Sequence, residues 1–182
     1  FSQNGTQLEI SVPAGIAHDL WTGGNNAPRA MQTVNDTDFE AEVKFESALP
    51  TTYEVQGLIA EQAPGTYVRT DFYSLGGQTY LFAARFDGNS PTVLANIAIG
   101  ADTQPRWLRL TRTGDNWTIA HSTNGTTYTT AVTFTAALTI DSVGVHAANA
   151  GGAPPAHTAL VDYLFTTTNP ITPEDAQTPN CP

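Results

Sequence analysis

The sequence predicts an all-β protein that folds as a two-sheet antiparallel β-sandwich. Thr, Val, Tyr and Phe, which suit a pleated and half-buried surface, are frequent, whereas no window shows the period of a three-turn amphipathic helix. The 15 Gly and 12 Pro among 182 residues indicate many short elements joined by turns. Alternating apolar and polar residues recur between these turns, and about ten or eleven strands at this spacing require two stacked sheets or a barrel.

The N-terminal part contains two predicted strands with a loop between them. The first strand covers residues 8–12, where apolar and polar residues alternate, and it ends at Pro13. The next segment, 15–35, has loop composition, because Gly, Asn and Pro are frequent and no alternation is visible. The strand at 38–45 has a clean period of two, with Phe39 on an apolar side and acidic residues on the other.

The remaining predicted strands are alternating runs that end at turn signals containing Gly, Asn or Asp. Gly114-Asp115 and Asn124-Gly125 lie between two such runs, so we expect consecutive antiparallel hairpins there. These strands are predicted at 54–61, 66–73, 78–86, 92–99, 106–112, 116–122, 127–134, 142–148 and 157–166. Their apolar sides predict a core that contains Phe39, Val43, Leu58, Phe72, Leu110, Val145 and Val161.

The chain length predicts one domain followed by a tail. A domain over residues 1–166 is long enough for one well-packed β core. Residues 167–182 are rich in Pro and Thr, which is the composition of an extended linker to another module, and Cys181 in this tail has no partner for an internal disulfide. The chain begins with Phe1, as a processed or excised fragment would, and it has no apolar run long enough to span a bilayer.

The charge balance restricts the partners. Seven Lys and Arg against 17 Asp and Glu give a formal net charge of -10. Nucleic acids and anionic membranes are repelled by such a surface, so we predict neither nucleic-acid binding nor membrane insertion. The excess of carboxylates has two interpretations, which are solubility alone or partial use in binding a divalent cation such as calcium.

The segment 107–128 carries the most specific motif. A Trp-hydrophobic-Arg-hydrophobic strand is followed by a Gly-containing turn, an aromatic strand and a Ser-Thr-Asn-Gly loop before Tyr128. This order resembles concanavalin A-like lectin/glucanase domains found beside bacterial glycoside hydrolases, in particular the β-xylosidase C-terminal concanavalin A-like domain and related modules of unknown function. Matching pieces at 39–43, 56–59, 143–145 and 161–163 extend the resemblance over most of residues 8–165.

The resemblance implies a jelly-roll sandwich in a secreted or cell-surface protein with several domains. Because such folds host lectins, hydrolases and structural modules, two hypotheses about function follow. The first is a non-catalytic carbohydrate-binding module, which holds a polysaccharide or glycan and is joined in the same chain to neighbouring domains such as a glycoside hydrolase. The second is a structural or adhesive spacer domain without a sugar site.

Catalysis is not predicted. A retaining glycosidase needs two carboxylates about 5 Å apart, and the Glu-x-Asp-x-x-Glu pattern of the laminarinase type does not occur in this sequence. A row of acidic residues on one side of the strand at 38–45 faces solvent, because the opposite side is apolar. This row consists of Asp36, Asp38, Glu40 and Glu42. The four His residues lack zinc-site spacing, and no Gly-x-Ser-x-Gly motif occurs.

The strand at 66–73 carries the first candidate sugar site. Arg69, Asp71 and Tyr73 alternate on the side opposite the apolar residues. Charged hydrogen-bonding groups suit sugar hydroxyls, and an aromatic ring suits the C–H surface of a sugar. We expect the Arg69 and Asp71 side chains to be exposed, about 6–7 Å apart along the strand. One alternative is an exposed ion pair that contributes little to stability. Another is a buried structural network, in which case the sugar site is expected at the Trp21 loop instead.

Two further groups of residues belong to the predicted site. Gln56 and Tyr80 lie on strands that we expect nearby, where they can add a hydrogen bond and a stacking surface. Trp21 and His18 form a second candidate, because an aromatic residue on a loop serves binding more often than packing. The alternative for the Trp21 loop is a plug that covers one end of the sandwich.

A structural calcium ion is a further expectation. The resemblance to lectin-like sandwiches suggests it, and Ca²⁺ binds carboxylate and amide oxygens of the kind found in these loops. The candidate ligands are Asp19, Asn25, Asn26 and Asp162. Asp162 also has another interpretation, since it lies in a strand and can hydrogen-bond a neighbouring loop. No other cofactor is predicted.

Overall fold

The computed structural model describes residues 1–22 and 24–167, and all regular elements of these residues are β-strands. The predicted tail beyond Thr167, with Cys181, lies outside the described residues. The strands are β1 (Ser2–Asn4), β2 (Gln7–Val12), β3 (Leu20–Trp21), β4 (Gly24–Asn25), β5 (Arg29–Thr33), β6 (Phe39–Phe45), β7 (Glu54–Ala63), β8 (Thr66–Leu75), β9 (Gln78–Asp87), β10 (Ser90–Gly100), β11 (Arg106–Thr113), β12 (Asn116–Ser122), β13 (Thr129–Thr135), β14 (Ser142–Asn149) and β15 (His157–Thr166).

Thirteen of these strands form two antiparallel sheets. The seven-stranded sheet has the order β1-β2-β15-β6-β11-β12-β13, and the six-stranded sheet has the order β10-β9-β8-β7-β14-β5. The short strands β3 and β4 pair only with each other, as a hairpin. The predicted two-sheet antiparallel sandwich is therefore confirmed. Among the described residues, no helix is long and apolar enough to cross a membrane.

The core lies between the two sheets and contains the residues predicted for it. Its members come from both sheets, because alternate residues of a strand point to the same side and the apolar ones on the inner faces meet between the sheets. The seven predicted core residues are each at most 3% exposed: Phe39, Val43, Leu58, Phe72, Leu110, Val145 and Val161. Trp117 is buried with them and packs edge-on against Phe39.

The eleven predicted strands agree with the observed ones to within two residues at either end. The predicted hairpins are also present, with Gly114-Asp115 joining β11 to β12 and a six-residue loop joining β12 to β13. The interpretation of 15–35 as a loop is wrong, because β3, β4 and β5 lie within it. None of the residues of β5 is fully buried, so this edge strand lacks the alternation that marks the others.

Candidate functional site

The outer face of the six-stranded sheet, turned away from the core, carries a second apolar cluster. Alternation places Val68 and Phe72 of β8 in the core, whereas Arg69, Asp71 and Tyr73 point to the outer face. The β3–β4 hairpin packs over this face and buries part of it. The buried members of the second cluster are Leu20, Ala27, Val55, Ile59, Tyr67, Ala84, Phe86 and Ala148.

The hairpin is held down by polar and aromatic contacts. Arg69 Nη1 donates to the carboxylate of Asp19 at 2.9 Å and to the backbone carbonyl of Leu20 at 2.7 Å. The ring of Trp21 meets those of Phe82 and Phe86 edge-on, at centroid distances of 5.7 and 5.4 Å. These contacts fix the position of Trp21 relative to β8 and β9.

The prediction that Arg69 and Asp71 are exposed is wrong. Alternation put both side chains on the outer face as predicted, but the hairpin covers them and leaves them 4% and 1% exposed. Arg69 Nε donates to Asp71 Oδ2 at 2.8 Å, so the two form a buried ion pair. Burial raises the pKa of Asp71, and the nearby Arg69 guanidinium opposes this rise.

The space around Asp71 depends on a glycine in the neighbouring strand. A Cβ atom at Gly57 would lie 2.4 Å from Asp71 Cβ and 2.2 Å from the carbonyl oxygen of Thr70. On the far side of Gly57, His146 Nε2 lies 3.9 Å from Asp71 Oδ2. Burial, and then the charge of Arg69, lowers the pKa of His146 well below its usual value, so this imidazole is neutral.

An open cavity with a volume of ≈ 560 Å³ adjoins the hairpin on the outer face. The hairpin contributes Asp19 and Trp21 to its walls, and β8 contributes Arg69, Asp71 and Tyr73. The other lining residues are Tyr53, Val55, Leu75, Phe82, Asn96, Ala150 and Gly151. Aromatic rings, an amide and carboxylates thus converge on one cavity, which is the combination that small-molecule and sugar sites use.

Three tyrosines form a stack beside this cavity. The rings of Tyr53 and Tyr73 are stacked with centroids 6.3 Å apart, and those of Tyr73 and Tyr80 with centroids 5.1 Å apart. Tyr73 Oη donates to Asn96 Oδ1 at 2.8 Å. The stack orders Tyr73 and holds Asn96 at the cavity wall.

Tyr53 has a backbone conformation that only glycine adopts readily. Its φ of 67° lies in the left-handed region, which is costly for an aromatic residue. Its N–H donates to the carbonyl of Ser74 at 2.8 Å, and its carbonyl accepts from the N–H of Ala150 at 3.1 Å. The side chain is 37% exposed at the cavity. Sequence reasoning missed Tyr53, because no local pattern marks a tyrosine that will have a positive φ.

The structure brings together some of the predicted sugar-site residues and separates others. Four of the seven line the cavity, namely Arg69, Asp71, Tyr73 and Trp21. Tyr80 does not line the cavity, but its ring stacks on that of Tyr73, which does. His18 and Gln56 do not line it. Gln56 is 1% exposed and hydrogen-bonds Ser47, because the register of β7 turns it to the same side as the core residue Leu58.

The predicted calcium ligands lie on opposite sides of the sandwich. Asp19, Asn25 and Asn26 belong to the hairpin region, whereas Asp162 is on β15 of the other sheet and pairs with Lys44 at 2.8 Å. One ion cannot contact all four residues. Among the described residues, no group of three or more His, Cys, Asp or Glu side chains converges as a metal site would.

Three side-chain oxygens of the predicted ligands in the hairpin region already accept hydrogen bonds. Asp19 Oδ1 accepts hydrogen bonds from Arg69 and from the N–H of Leu20, and Asn25 Oδ1 accepts from Arg29. Asn26 Oδ1 accepts from the N–H of Asp19. Calcium binding stays a prediction, and a thermal melt with EDTA tests it. A lower melting temperature in EDTA supports a structural ion, whereas an unchanged melting temperature contradicts the prediction.

The acidic row of β6 lies on the outer face of the seven-stranded sheet, away from the cavity. Glu42 accepts hydrogen bonds from Arg109, Tyr128 and Tyr163 at 2.6–2.9 Å. Asp36, just before β6, is paired with Arg112. These carboxylates are used in side-chain networks that join neighbouring strands.

No family model and no curated protein sequence matches the chain. Solved structures do match it. The GH43 BlXynB protein from Bacillus licheniformis is similar over 90% of this chain and 33% of its own, with a TM-score of 0.70 and 13% identity. A functionally unknown protein from Saccharomyces cerevisiae matches over 92% and 91%, with a TM-score of 0.68 and 13% identity. A legume lectin-like domain from Entamoeba histolytica matches over 92% and 86%, with a TM-score of 0.63 and 14% identity.

The molecule therefore has the same β-sandwich fold as a domain of the GH43 protein and the legume lectin-like domain, and this confirms the concanavalin A-like fold predicted from the 107–128 motif. The chain spans about a third of the length of the GH43 BlXynB protein and most of the length of the other two. At 13–14% sequence identity, the similarity to these structures shows a shared fold and does not by itself show a shared function.

Proposed function

We propose that this domain is a non-catalytic carbohydrate-binding module of a secreted or cell-surface multi-domain protein, associated with a glycoside hydrolase. The open cavity on the outer face of the six-stranded sheet is the observation that carries this proposal. Trp21, Tyr53 and Tyr73 give it aromatic surfaces, and Asp19 and Asn96 give it polar groups at the wall. Sugars need both, because their C–H faces stack on rings and their hydroxyls need hydrogen-bond partners.

The carboxylates of the cavity support binding rather than hydrolysis. Asp19 and Asp71 both accept hydrogen bonds from Arg69, and Asp71 is 1% exposed. A glycosidase needs one carboxyl group free to protonate the leaving group and another free to attack or to activate water. A pair that is tied to the same guanidinium is poorly suited to these roles.

The structural neighbours support the carbohydrate part of the proposal. One is a GH43 protein in which this fold makes up about a third of the chain, and another is a legume lectin-like domain. A polysaccharide or glycan is thus the proposed partner, together with neighbouring domains of the same chain. The alternative of a structural or adhesive spacer predicts no saturable binding to any glycan.

Affinity electrophoresis of the full chain through gels containing polysaccharides tests the proposal. The panel is xylan, xyloglucan, cellulose derivatives, mannan, chitin derivatives and β-1,3-glucan. We expect at least one polymer to retard the protein, and we expect Trp21→Ala to weaken that retardation at least tenfold in apparent affinity. Phe1→Ala is the matched control, because Phe1 is a 71% exposed aromatic residue outside the cavity.

Arg69→Ala is not a suitable test of binding. Removal of the Arg69 side chain leaves Asp71 as an unpaired buried charge. A loss of binding in this variant could therefore not be told from a loss of folding. If no polymer in the panel retards the protein, the spacer interpretation replaces the proposed one. If Phe1→Ala and Trp21→Ala weaken retardation equally, the binding is not located in the cavity.

A further inference from the structure

A second open cavity adjoins the first at the β3–β4 hairpin. Its volume is ≈ 310 Å³, compared with ≈ 560 Å³ for the larger one. The two cavities share four lining residues, Asp19, Trp21, Ala150 and Gly151. The smaller one is further lined by Ala17, Gly24 and Asn26. Both cavities are open and share these four residues, so they adjoin each other at Trp21. The two adjoining cavities together are called the trough below.

The size of the trough exceeds that of a single sugar. Cavities of about 300–1,000 Å³ accommodate drug-sized molecules, so each of the two has room for at least one sugar ring. The larger cavity also has a longer aromatic wall, which includes Tyr53, Tyr73 and Phe82. A carbohydrate that fills both cavities is therefore longer than one sugar.

The charges around the trough select against acidic sugars. Asp19 and Asp71 contribute two carboxylates. Among the described residues that line either cavity, Arg69 is the sole cation, and it is bonded to both carboxylates. Its guanidinium is therefore not free to pair with the carboxylate of a uronic acid. The formal net charge of -10 on the whole chain adds to this repulsion.

We infer that the trough binds an internal stretch of a neutral polysaccharide, with consecutive sugars in the two cavities and Trp21 between them. This inference rests on the proposed function and adds to it the class of ligand. A module that recognised a single terminal sugar would need only one closed pocket, whereas this trough is open along its length.

Calorimetric titration with fragments of increasing length tests the inference. The probes are fragments of one to six sugars from the polymer that retards the protein most in the electrophoresis above. We expect the affinity to rise at least tenfold between the monosaccharide and the tetrasaccharide and then to level off, since both cavities are then filled. Polygalacturonate, an acidic unbranched polymer, is expected to give no measurable binding.

Ala17→Phe separates the two cavities. Ala17 is exposed and lines only the smaller cavity, so we expect a phenylalanine there to obstruct that cavity and to leave the larger one open. The tenfold gain with chain length should disappear, while the affinity for the monosaccharide stays within twofold. Ala14→Phe is the matched control, because Ala14 is also exposed and lines neither cavity.

The outcomes distinguish this inference from the function on which it rests. Equal affinity for the monosaccharide and the tetrasaccharide, or an unchanged gain in Ala17→Phe, overturns the inference and leaves carbohydrate binding intact. Binding of polygalacturonate as tight as that of the neutral polymer overturns the restriction to neutral chains. Retardation by no polymer at all overturns both proposals.

Discussion

The burial of Arg69 and Asp71 shows that the contribution of an ion pair to folding stability depends on whether another part of the chain covers it. On an exposed strand face, such a pair would contribute about 0–1 kcal/mol to folding. Under the hairpin, the same pair is 4% and 1% exposed, and Asp19 shares the guanidinium. Removing Arg69 then leaves the buried Asp71 carboxylate without its partner, and removing Asp71 leaves the buried guanidinium with Asp19 alone.

We predict that Asp71→Ala lowers the free energy of unfolding by about 3 kcal/mol, the lower end of the range for breaking a buried pair, because Asp19 still pairs with Arg69. Urea unfolding followed by tryptophan fluorescence measures this change. Asp162→Ala is the control, because Asp162 also pairs with a cation at 2.8 Å but has a 29% exposed side chain. Its loss should cost about 0–1 kcal/mol. Similar losses in the two variants would show that the Arg69–Asp71 pair is solvated.

A second prediction concerns the strained Tyr53. Tyr53→Gly relieves a left-handed backbone that costs an L-residue about 1–2 kcal/mol, whereas Tyr53→Ala removes the same ring and keeps the strain. The glycine variant should therefore be about 1 kcal/mol more stable than the alanine variant in urea unfolding. Both should bind glycan at least tenfold more weakly than the unaltered protein, since both lack the ring. If the alanine variant is as stable as the glycine variant, the backbone at position 53 is not strained.

The sequence predicted which side chains point outward on β8, but not whether they are exposed. Alternation along a strand is local, so it placed Arg69, Asp71 and Tyr73 on one face. Their burial depends on residues about 50 positions earlier in the chain, which no periodicity reveals. Tyr53 was missed for a related reason, because its conformation is imposed by contacts with Ser74 and Ala150.

At the scale of elements, strands that alternate were predictable and those without alternation were not. Eleven strands were predicted from runs between turn signals, and their bounds agree with the prediction to within two residues. The strands β3 and β4 have two residues each, which is too short for a period to be seen. The hairpin that they form is nevertheless the element that shapes the cavity.

The pairing of β7 with β8 gives a third prediction. Gly57→Ala should lower the free energy of unfolding by several kcal/mol, because the new Cβ would lie 2.2 Å from the backbone oxygen of Thr70. Chemical denaturation measures the loss. Gly152→Ala is the control, since nothing lies within 4 Å of a Cβ placed there. If both variants unfold at the same denaturant concentration, β7 and β8 are less tightly packed at Gly57 than the structure shows.

For the whole molecule, buried histidines make stability depend on pH. Burial lowers the pKa of His157 to about 4, against an ordinary value of 6.5, and the nearby Asp102 only partly opposes this. The unfolded chain therefore binds a proton below pH 6.5 that the folded chain does not. Full stability is present above pH 6.5 and is lost as the pH falls towards 4. His146, with a pKa lowered in the same direction, adds to the loss.

We predict that the contribution of His157 to this loss is about 3 kcal/mol between pH 6.5 and pH 4, at 1.36 kcal/mol for each pH unit. Urea unfolding at a series of pH values measures it. His157→Gln removes the titrating group, so its stability should fall less steeply over the same range. An identical pH dependence in the variant would contradict the assignment to His157.

The cavity is assembled from segments that are far apart in the chain, and this couples ligand binding to folding. The N–H of His18 at the base of the hairpin donates to Asn149, 131 residues away, and the cavity walls come from both regions. An unfolded chain cannot present such a site. A ligand at a hundred times its dissociation constant should then add about 2.7 kcal/mol to the folded state. Thermal shift in the presence of each glycan therefore reports occupancy without any label on the sugar.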